Sequence, residues 1–568
     1  MSPSPTSPLQ STERISQVTT SVESHGRRYA ASYSRYAYWL VSKHGPRETN
    51  SPDTASIRIL DDDSLLHVFY FYRPFLLGED QSEDTRPFGG EGEWVLGRWW
   101  YTPAHVCQRW RNVILRSASY LGLSLVCTKG TPVADMLAHS PPFPLLIDHY
   151  YDSHSISAED EEATILALKQ RDRVRRIRLN MPPTNLQNLL AAMDGEYPIL
   201  EYLVMWNRMD EDWTTLTPPE TLQLPSLRHL TLVGFALPIR SRILTTAVGL
   251  GTLCLFMYDP STYFHPNTVL HWISSMPQLK MLVVLFLFAV PTCDVEMQLT
   301  AQAPITTPIT LPNLEVFLFQ GGSVYLEALV HRITTPRLEK ICIYFFNQLT
   351  FSVPRLRQFM GTAENLRLRF ARIAFSEERV IVDAFPNEEA RWALEIKIDC
   401  LHLDWQVFAM AQISNSLVDM FSGVEYLILE HEVHSLSSDE HDEVDLSKWR
   451  SLFWSFSNVK TLHIDNGLAE QLSRCLELDD DGECPSKELL PELQELAYSG
   501  SGDHDTSGVF TSFVDARQKA GRPVTLARRE LSSNHTTSPS PSPDPCTSAP
   551  SSSVTPASSE AGSSVLGT

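Results

Sequence analysis

The sequence has little of what marks secreted, fibrous or membrane proteins. It carries only nine cysteines in 568 residues and no C-x-x-C pair, which favours free thiols of an intracellular protein over a disulfide framework. The longest apolar run, residues 281–290, is too short for a membrane span, which needs roughly 20 residues, and is expected to form a buried strand. The start lacks the basic and apolar regions of a signal peptide. These absences predict a cytoplasmic and/or nuclear protein that does not insert into a membrane.

Positive charge is also scarce: the chain has 46 lysines and arginines but 68 aspartates and glutamates, which gives a net charge of −22. Such a balance works against binding a polyanion by counterion release. Residues 171–178 are rich in arginine, but Val174, Ile177 and Leu179 alternate with the charges as the buried residues of a strand do. We therefore expect these arginines on the solvent side of an edge strand, and no nucleic-acid or membrane-surface partner.

Both ends of the chain are poor in core-forming residues. Residues 1–25 carry three Ser-Pro steps, and residues 531–568 consist largely of serine, threonine, proline and alanine, so neither segment can bury enough surface to offset the entropy of ordering. We predict disordered tails there. The full chain is 43% apolar, and the part between the tails is long enough to form a large core.

A short phrase recurs between the two tails: Pro-x-Leu, followed by apolar residues three and five positions after the leucine. One copy is Pro225 with Leu227, Leu230 and Leu232. Further copies begin at Pro198, Pro277, Pro312, Pro336 and Pro491, and variants begin at Leu250, Ser422 and Ser457. The last two apolar residues of each copy would point to the same side of a strand.

The spacing of the copies lies around that of leucine-rich repeats. Stacked repeats align their strands in parallel, and the segments between them, such as the helical pattern NTVLHWISS at 267–275, return across one face. We therefore predict an α/β fold in which residues 123–530 form a leucine-rich-repeat solenoid with a curved parallel sheet. Because the spacing between copies is irregular, an ordinary α/β domain remains an alternative to the solenoid.

Two helical patterns precede the repeats, within residues 57–121. In the first, Asp61–Asp63 supply acceptors and negative charge at a helix start, before an apolar face. That face contains Leu65, Leu66 and Phe69. In the second, Thr102 is placed as an N-cap with Pro103 at the first helical position. Its apolar face contains Val106, Trp110, Val113 and Ile114.

The segment that holds both helices resembles an F-box. It reads IRILDDDSLLHVFYFYRP and, after an acidic, glycine-rich insert at 78–97 that we expect to be an exposed loop, WWYTPAHVCQRWRNVILRSASYLGLSL. Residues 172–500, including the phrase DWQVFAMAQISNSL, resemble the degenerate leucine-rich region of F-box proteins from mushroom-forming fungi. The sequence departs from the F-box pattern at Asp61, where the family usually has proline, and in the length of the insert.

The resemblance implies a substrate receptor of a cullin-based ubiquitin ligase, in which the F-box binds the Skp adaptor and, through it, a cullin. The repeats would hold an unknown target protein. The residues that match the family's adaptor-facing or helix-pairing positions are Leu60, Leu65, Leu66, Val68, Phe69, Val106, Cys107 and Trp110. Two alternatives stay open: helices that only cap the repeats, and repeats that form an interaction scaffold unrelated to ubiquitin.

Other clusters of reactive residue types point to loops rather than to chemistry. Residues 477–488 follow the calcium-loop template D-x-D-x-D-G-x5-E imperfectly, with glutamate first and Pro485 at position nine. Residues 430–445 mix histidines with carboxylates, and residues 499–505 hold the residue types of a hydrolytic triad without G-x-S-x-G. The sequence also lacks a P-loop and H-E-x-x-H. We predict no enzyme activity, no metal and no cofactor.

Overall fold

The computed structural model describes the chain in segments. These are residues 60–72, 98–150, 156–208, 215–287, 308–346, 348, 350–363, 365–387, 392–432, 444–476, 489–499 and 508–528. The chain divides into two compact units, Met1–Val68 and Phe69–Thr568.

Helices occur throughout the described segments. They are α1 Asp62–Tyr72, α2 Tyr101–Ala104, α3 Gln108–Arg116, α4 Ala118–Leu121, α5 Val133–His139, α6 Ala158–Leu168, α7 Pro183–Ala192, α8 Arg242–Thr246, α9 Pro266–Ile273, α10 Ser323–Val330, α11 Pro354–Gly361, α12 Leu403–Ser416, α13 Val418–Phe421, α14 Leu446–Phe453, α15 Asn466–Leu476 and α16 Thr511–Lys519. Helix α9 covers most of the predicted NTVLHWISS helix, and α12 contains most of the DWQVFAMAQISNSL phrase.

Strands alternate with these helices. They are β1 Leu125–Cys127, β2 Leu145–His149, β3 Val174–Met181, β4 Tyr202–Asn207, β5 His229–Val233, β6 Thr252–Met257, β7 Met281–Phe286, β8 Ile309–Thr310, β9 Val316–Gly321, β10 Ile333–Thr334, β11 Lys340–Phe345, β12 Phe370–Ser376, β13 Arg379–Phe385, β14 Leu394–Asp399, β15 Tyr426–Glu432, β16 Thr461–Asp465, β17 Glu495–Ser499 and β18 Thr525–Arg528.

In the described part of the second unit, sixteen of these strands form one sheet. Their order is β1-β2-β3-β4-β5-β6-β7-β9-β11-β14-β13-β12-β15-β16-β17-β18. Neighbouring strands run parallel except where β13 pairs antiparallel with β12 and β14. The short strands β8 and β10 pair in parallel apart from this sheet. The predicted α/β class with a large, mostly parallel sheet is therefore confirmed.

The recurring proline phrase makes a turn and then a strand. The amide of Leu227 donates to the carbonyl of Leu224 at 3.2 Å, which closes a β-turn with Pro225 as its second residue. Proline favours that position because its ring fixes φ near the value the turn requires. The equivalent hydrogen bond precedes β4, β6, β7, β9, β11, β15, β16 and β17. The phrase therefore sets where each of these strands begins.

The apolar residues of the phrase form the core. Leu230, Leu253 and Leu282 lie side by side in register on β5, β6 and β7, and each is fully buried. Helices cover this face of the sheet, since the Phe317 ring on β9 lies 5.6 Å from that of Phe359 on α11. Burying one such side chain contributes roughly 1.5–3 kcal/mol, so the repeated row supplies much of the stability of the sheet.

Residues 171–178 do not form an edge strand, so that prediction was wrong. Strand β3 pairs with β2 on one side and β4 on the other. Arg178 is buried, with its Nε 3.1 Å from Asp148 Oδ1 and its guanidinium 4.6 Å from the centre of the Tyr150 ring. Strands β1 and β2 lack the proline phrase, which is why the sequence pattern placed the edge of the sheet too late.

The antiparallel segment β12–β14 also departs from the expected all-parallel order. Only Glu377 and Glu378 separate β12 from β13, a connection that can close a hairpin but cannot make the longer crossover that a parallel pair requires. The three strands therefore enter the sheet in reverse order between β11 and β15. Strand β13 has no proline phrase and was not predicted.

Candidate functional site

The first candidate site contains the residues predicted to face the adaptor, beginning with those in the first unit. The amide of Ser64 donates to Asp61 Oδ1 at 2.6 Å, so an aspartate caps the start of α1 as predicted. Leu65 is buried and Leu66 is partly buried. Leu60 and Val68 are exposed. The predicted set in this unit is therefore split between buried and accessible side chains.

The second predicted helix is interrupted. Helix α2 ends at Ala104 and α3 begins at Gln108, and the carbonyl of Ala104 accepts a hydrogen bond from Arg111 Nε at 3.1 Å. Thr102 lies inside α2 and is not its N-cap, so that prediction was wrong. The helix begins at Tyr101, directly after the buried Trp100, whose indole N–H donates to the carbonyl of Ser124 at 3.1 Å.

The interruption leaves two predicted adaptor residues on the surface of the second unit. Val106 is 57% exposed, and Cys107 is exposed with an extended backbone. Trp110 on α3 is partly buried, with its ring centre 5.0 Å from that of the buried Phe69. The structure therefore brings Phe69 and Trp110 together as a helix pair and leaves Val106 accessible.

A second candidate site lies on the face of the sheet that carries the side chains between the buried leucines, which we call the second face. One row of this face can be followed across the sheet by strand register. It contains Asp148, Arg178, Val204, Thr231, Cys254, Val283, Leu318, Cys342, Glu395, Asp383, Arg372, Ile428 and His463. Beyond the first ion pair, the row is apolar up to Leu318 except for the buried Thr231, and it is charged from Glu395 to Arg372.

The apolar half is the part of the second face on β4–β7 and β9. A buried cluster lies there, with Trp206, Tyr258, Leu285 and Leu318 packed against it. The cluster contains Val233, Cys254, Phe256, Met281, Val283 and Val316. Burial raises the pKa of the Cys254 thiol to about 12, so this thiol is neutral and behaves as a small apolar residue.

The charged half is the part of the second face on β11–β15. Lys397 Nζ lies 2.9 Å from Glu395 Oε1, and the Cys342 thiol donates to Glu395 Oε2 at 2.9 Å. On β12, Arg372 Nε donates to Glu430 Oε2 at 2.8 Å. These contacts make two ion pairs, Lys397 with Glu395 and Arg372 with Glu430, on the same face of the sheet.

Asp383 lies between the two ion pairs. It is directly opposite Arg372 on one neighbouring strand and Glu395 on the other. Its Oδ2 is 3.8 Å from Arg372 Nη1, farther than Glu430 is from the same guanidinium. Burial and then the charge of Glu395 raise the pKa of Asp383 to about 6, against the opposing effects of Arg372 and Lys397. Asp383 therefore has the weakest ionic pairing of the three carboxylates.

This group of charged side chains was not predicted from the sequence. The signal was present in the alternation of polar and apolar residues in RVIVDAF at 379–385 and LEIKID at 394–399, which is typical of half-buried strands. Only the pairing of β13 with both β12 and β14 shows that the polar sets of three strands meet.

No protein-family model matches this sequence, and no curated protein matches it. In the segments that the structure describes, no group of three or more histidine, cysteine, aspartate or glutamate side chains is arranged to hold a metal ion. Nor does any helix in those segments have the length and apolar character needed to cross a bilayer. The predictions for residues 1–25, 78–97, 433–443, 477–488, 501–505 and 531–568 lie outside the described residues.

Proposed function

We propose that this chain is a substrate receptor of a cullin-based ubiquitin ligase, in the cytoplasm and/or nucleus. Its F-box-like helices bind the Skp adaptor, and its repeated strands, arranged as a leucine-rich solenoid, hold a target protein. The chain itself supplies binding and no catalytic group. The observation that carries the proposal is the exposure of Val106 beside the Phe69–Trp110 helix pair.

The surface around these helices is rich in accessible apolar side chains. In the second unit, Phe71 and Tyr72 at the end of α1 and Tyr120 on α4 are exposed, like Val106. Tyr120 lies against Tyr70, with ring centres 5.3 Å apart. One exposed apolar residue is ordinary, but several in one short helical region indicate a surface that gains stability by binding a protein partner.

Co-elution of the full chain with the Skp adaptor on size exclusion tests the proposal. Val106→Asp should abolish co-elution, because it places a charge where the adaptor would bury an apolar side chain. Val248→Asp is the matched control, since Val248 is 55% exposed in the segment between α8 and β6. The control should co-elute with the adaptor as the wild type does.

Leu66→Asp adds a second test within α1, where Leu66 is partly buried. It should also prevent co-elution while urea unfolding of the sheet keeps its midpoint. Co-elution that survives both Val106→Asp and Leu66→Asp would show that these residues do not bind the adaptor.

An interaction scaffold without an adaptor is the second candidate. It is favoured by the burial of Leu65 and Phe69, two of the predicted adaptor residues. If this second function is correct, the wild-type chain should not co-elute with the Skp adaptor at any concentration tested.

A further inference from the structure

The charged half of the second face has a local excess of negative charge at Asp383. The charged groups that act on this carboxylate are Glu395, Arg372, Lys397 and Glu430. Each of the two cations lies closer to a glutamate than to Asp383. Three carboxylates therefore share two cations, and an additional cation near Asp383 would complete the pairing.

The site is accessible to another molecule but largely removed from bulk water. The Asp383 side chain is 17% exposed, and the side chains of Arg372 and Lys397 are more exposed. A carboxylate in such surroundings interacts with an incoming cation more strongly than a fully solvated one, because less water screens the attraction. This difference distinguishes Asp383 from the many exposed carboxylates of the chain.

The surroundings of Asp383 also suit the long stem of a basic side chain. On the same face, Ile381 and Phe385 flank Asp383 along β13, and both are partly buried. Ile428 lies opposite Arg372 on β15, and it too is partly buried. Arginine and lysine pack their methylene stems on apolar surface while the charged end pairs with a carboxylate.

We propose that the charged half of the second face is the docking surface for the target protein, and that it takes an arginine or lysine side chain of the target at Asp383. The proposal deepens the proposed function, on which it rests, by giving the chemistry of the target segment. The apolar half does not offer an equivalent surface, because Cys254, Val283 and Val316 are already buried.

The test uses the full chain and a short fluorescein-labelled peptide with a central pair of arginines in an alanine and serine background. A second peptide carries citrulline, the neutral isostere of arginine, at both positions. By fluorescence anisotropy, the arginine peptide should bind more tightly than the citrulline peptide. Added salt should weaken binding of the arginine peptide and so reduce the difference in affinity between the two peptides.

Asp383→Asn should weaken binding of the arginine peptide about tenfold, since losing a largely desolvated charge pair costs at least about that much in affinity. Binding of the citrulline peptide should not change. Glu377→Gln is the matched control, because it removes the same charge from an exposed position in the nearby β12–β13 turn. The control should bind both peptides as the wild type does. Urea unfolding at pH 7 verifies that the variants are folded.

Equal binding of the two peptides, or equal losses in Asp383→Asn and Glu377→Gln, would overturn the docking proposal and indicate only general attraction to an acidic protein. The result is independent of the adaptor, because Val106→Asp should bind the arginine peptide normally. Failure of the peptide test and failure of adaptor co-elution are thus separate outcomes.

Discussion

The apolar and charged halves of the second face occupy the same sheet and the same register, yet they differ in chemistry. Val283 and Leu318 in one half continue directly into Cys342 and Glu395 in the other. The opposite face does not change along this route, since it carries buried apolar residues such as Leu282, Phe317 and Ile341 throughout. The opposite face therefore packs the core along the whole route, whereas the second face can change from apolar to charged because the backbone ladder does not depend on its side chains.

The largest expected effect comes from placing the same charge in each half. Val283→Asp should lower the free energy of unfolding by about 4 kcal/mol or more, because it buries a carboxylate in a wholly apolar cluster. Ile381→Asp should lower the free energy of unfolding by less, about 2 kcal/mol at most, because Ile381 is partly exposed and lies opposite Lys397, which offsets part of the repulsion from Asp383. Urea denaturation of both variants measures the difference, and similar losses would refute the contrast between the halves.

Two ion pairs of the same row should differ in how much stability is lost when each is broken, and this effect is smaller than that of Val283→Asp. Arg178→Met should lower the free energy of unfolding by about 3–5 kcal/mol, because it leaves the buried Asp148 carboxylate without its cation. Burial already raises the pKa of Asp148, although Arg178 opposes the shift. Arg372→Met should cost about 1 kcal/mol or less, since its pair with Glu430 is partly solvated.

The double variant Arg178→Met with Asp148→Leu is the control for the buried pair. It should recover part of the stability lost in Arg178→Met, because neither charge is then buried alone. Equal losses for the single and double variants would show that the cost comes from packing rather than from the unpaired carboxylate.

The smallest effect is a pH dependence confined to the charged half. The pKa of Asp383 is about 6 in the folded chain, above its ordinary value of 3.8, so the folded state holds this proton more tightly than the unfolded state. The contribution of Asp383 to stability is thus present below pH 3.8 and is lost as the pH rises to about 6. Asp383→Asn cannot ionise and should gain on the order of 2 kcal/mol relative to the wild type between pH 4 and pH 7.

Urea denaturation at several pH values measures this gain. Glu377→Gln, which removes an exposed carboxylate, should show no such change relative to the wild type. A constant difference between Asp383→Asn and the wild type across this pH range would contradict the raised pKa.

Much of the sheet could be predicted because its signals are local. The proline phrase encodes a turn at Pro225 and equivalent positions, and the apolar spacing after it encodes a strand. The residue before each proline of the phrase is also buried, and it is apolar in every copy but one, as at Leu224 and Met276; Thr335 before Pro336 is the exception. This was a further usable signal in the sequence. Strands β1, β2 and β13 lack the phrase, so neither the pair of Arg178 with Asp148 nor the position of Asp383 could be read from it.

The residues predicted to bind an adaptor show the same limit within a shorter segment. The helical spacing correctly predicts that Val113 and Ile114 are buried. It also places Val106 on that face, whereas the helix is interrupted at Val106 and leaves it exposed. Arg111 donates to the carbonyl of Ala104 across the interruption, and Trp100 donates to the carbonyl of Ser124 just before α2. Helical periodicity does not encode either contact.

The amino-acid sequence by itself determined the α/β class, the starts of the repeated strands and their buried apolar rows, because turns and strand alternation depend on residues a few positions apart. The tertiary structure alone decided which strands are neighbours, and with that it placed Arg178 against Asp148 and Asp383 between two ion pairs. The reason is that cross-strand pairing joins residues far apart in the chain, and their charges interact only once the sheet has brought them together.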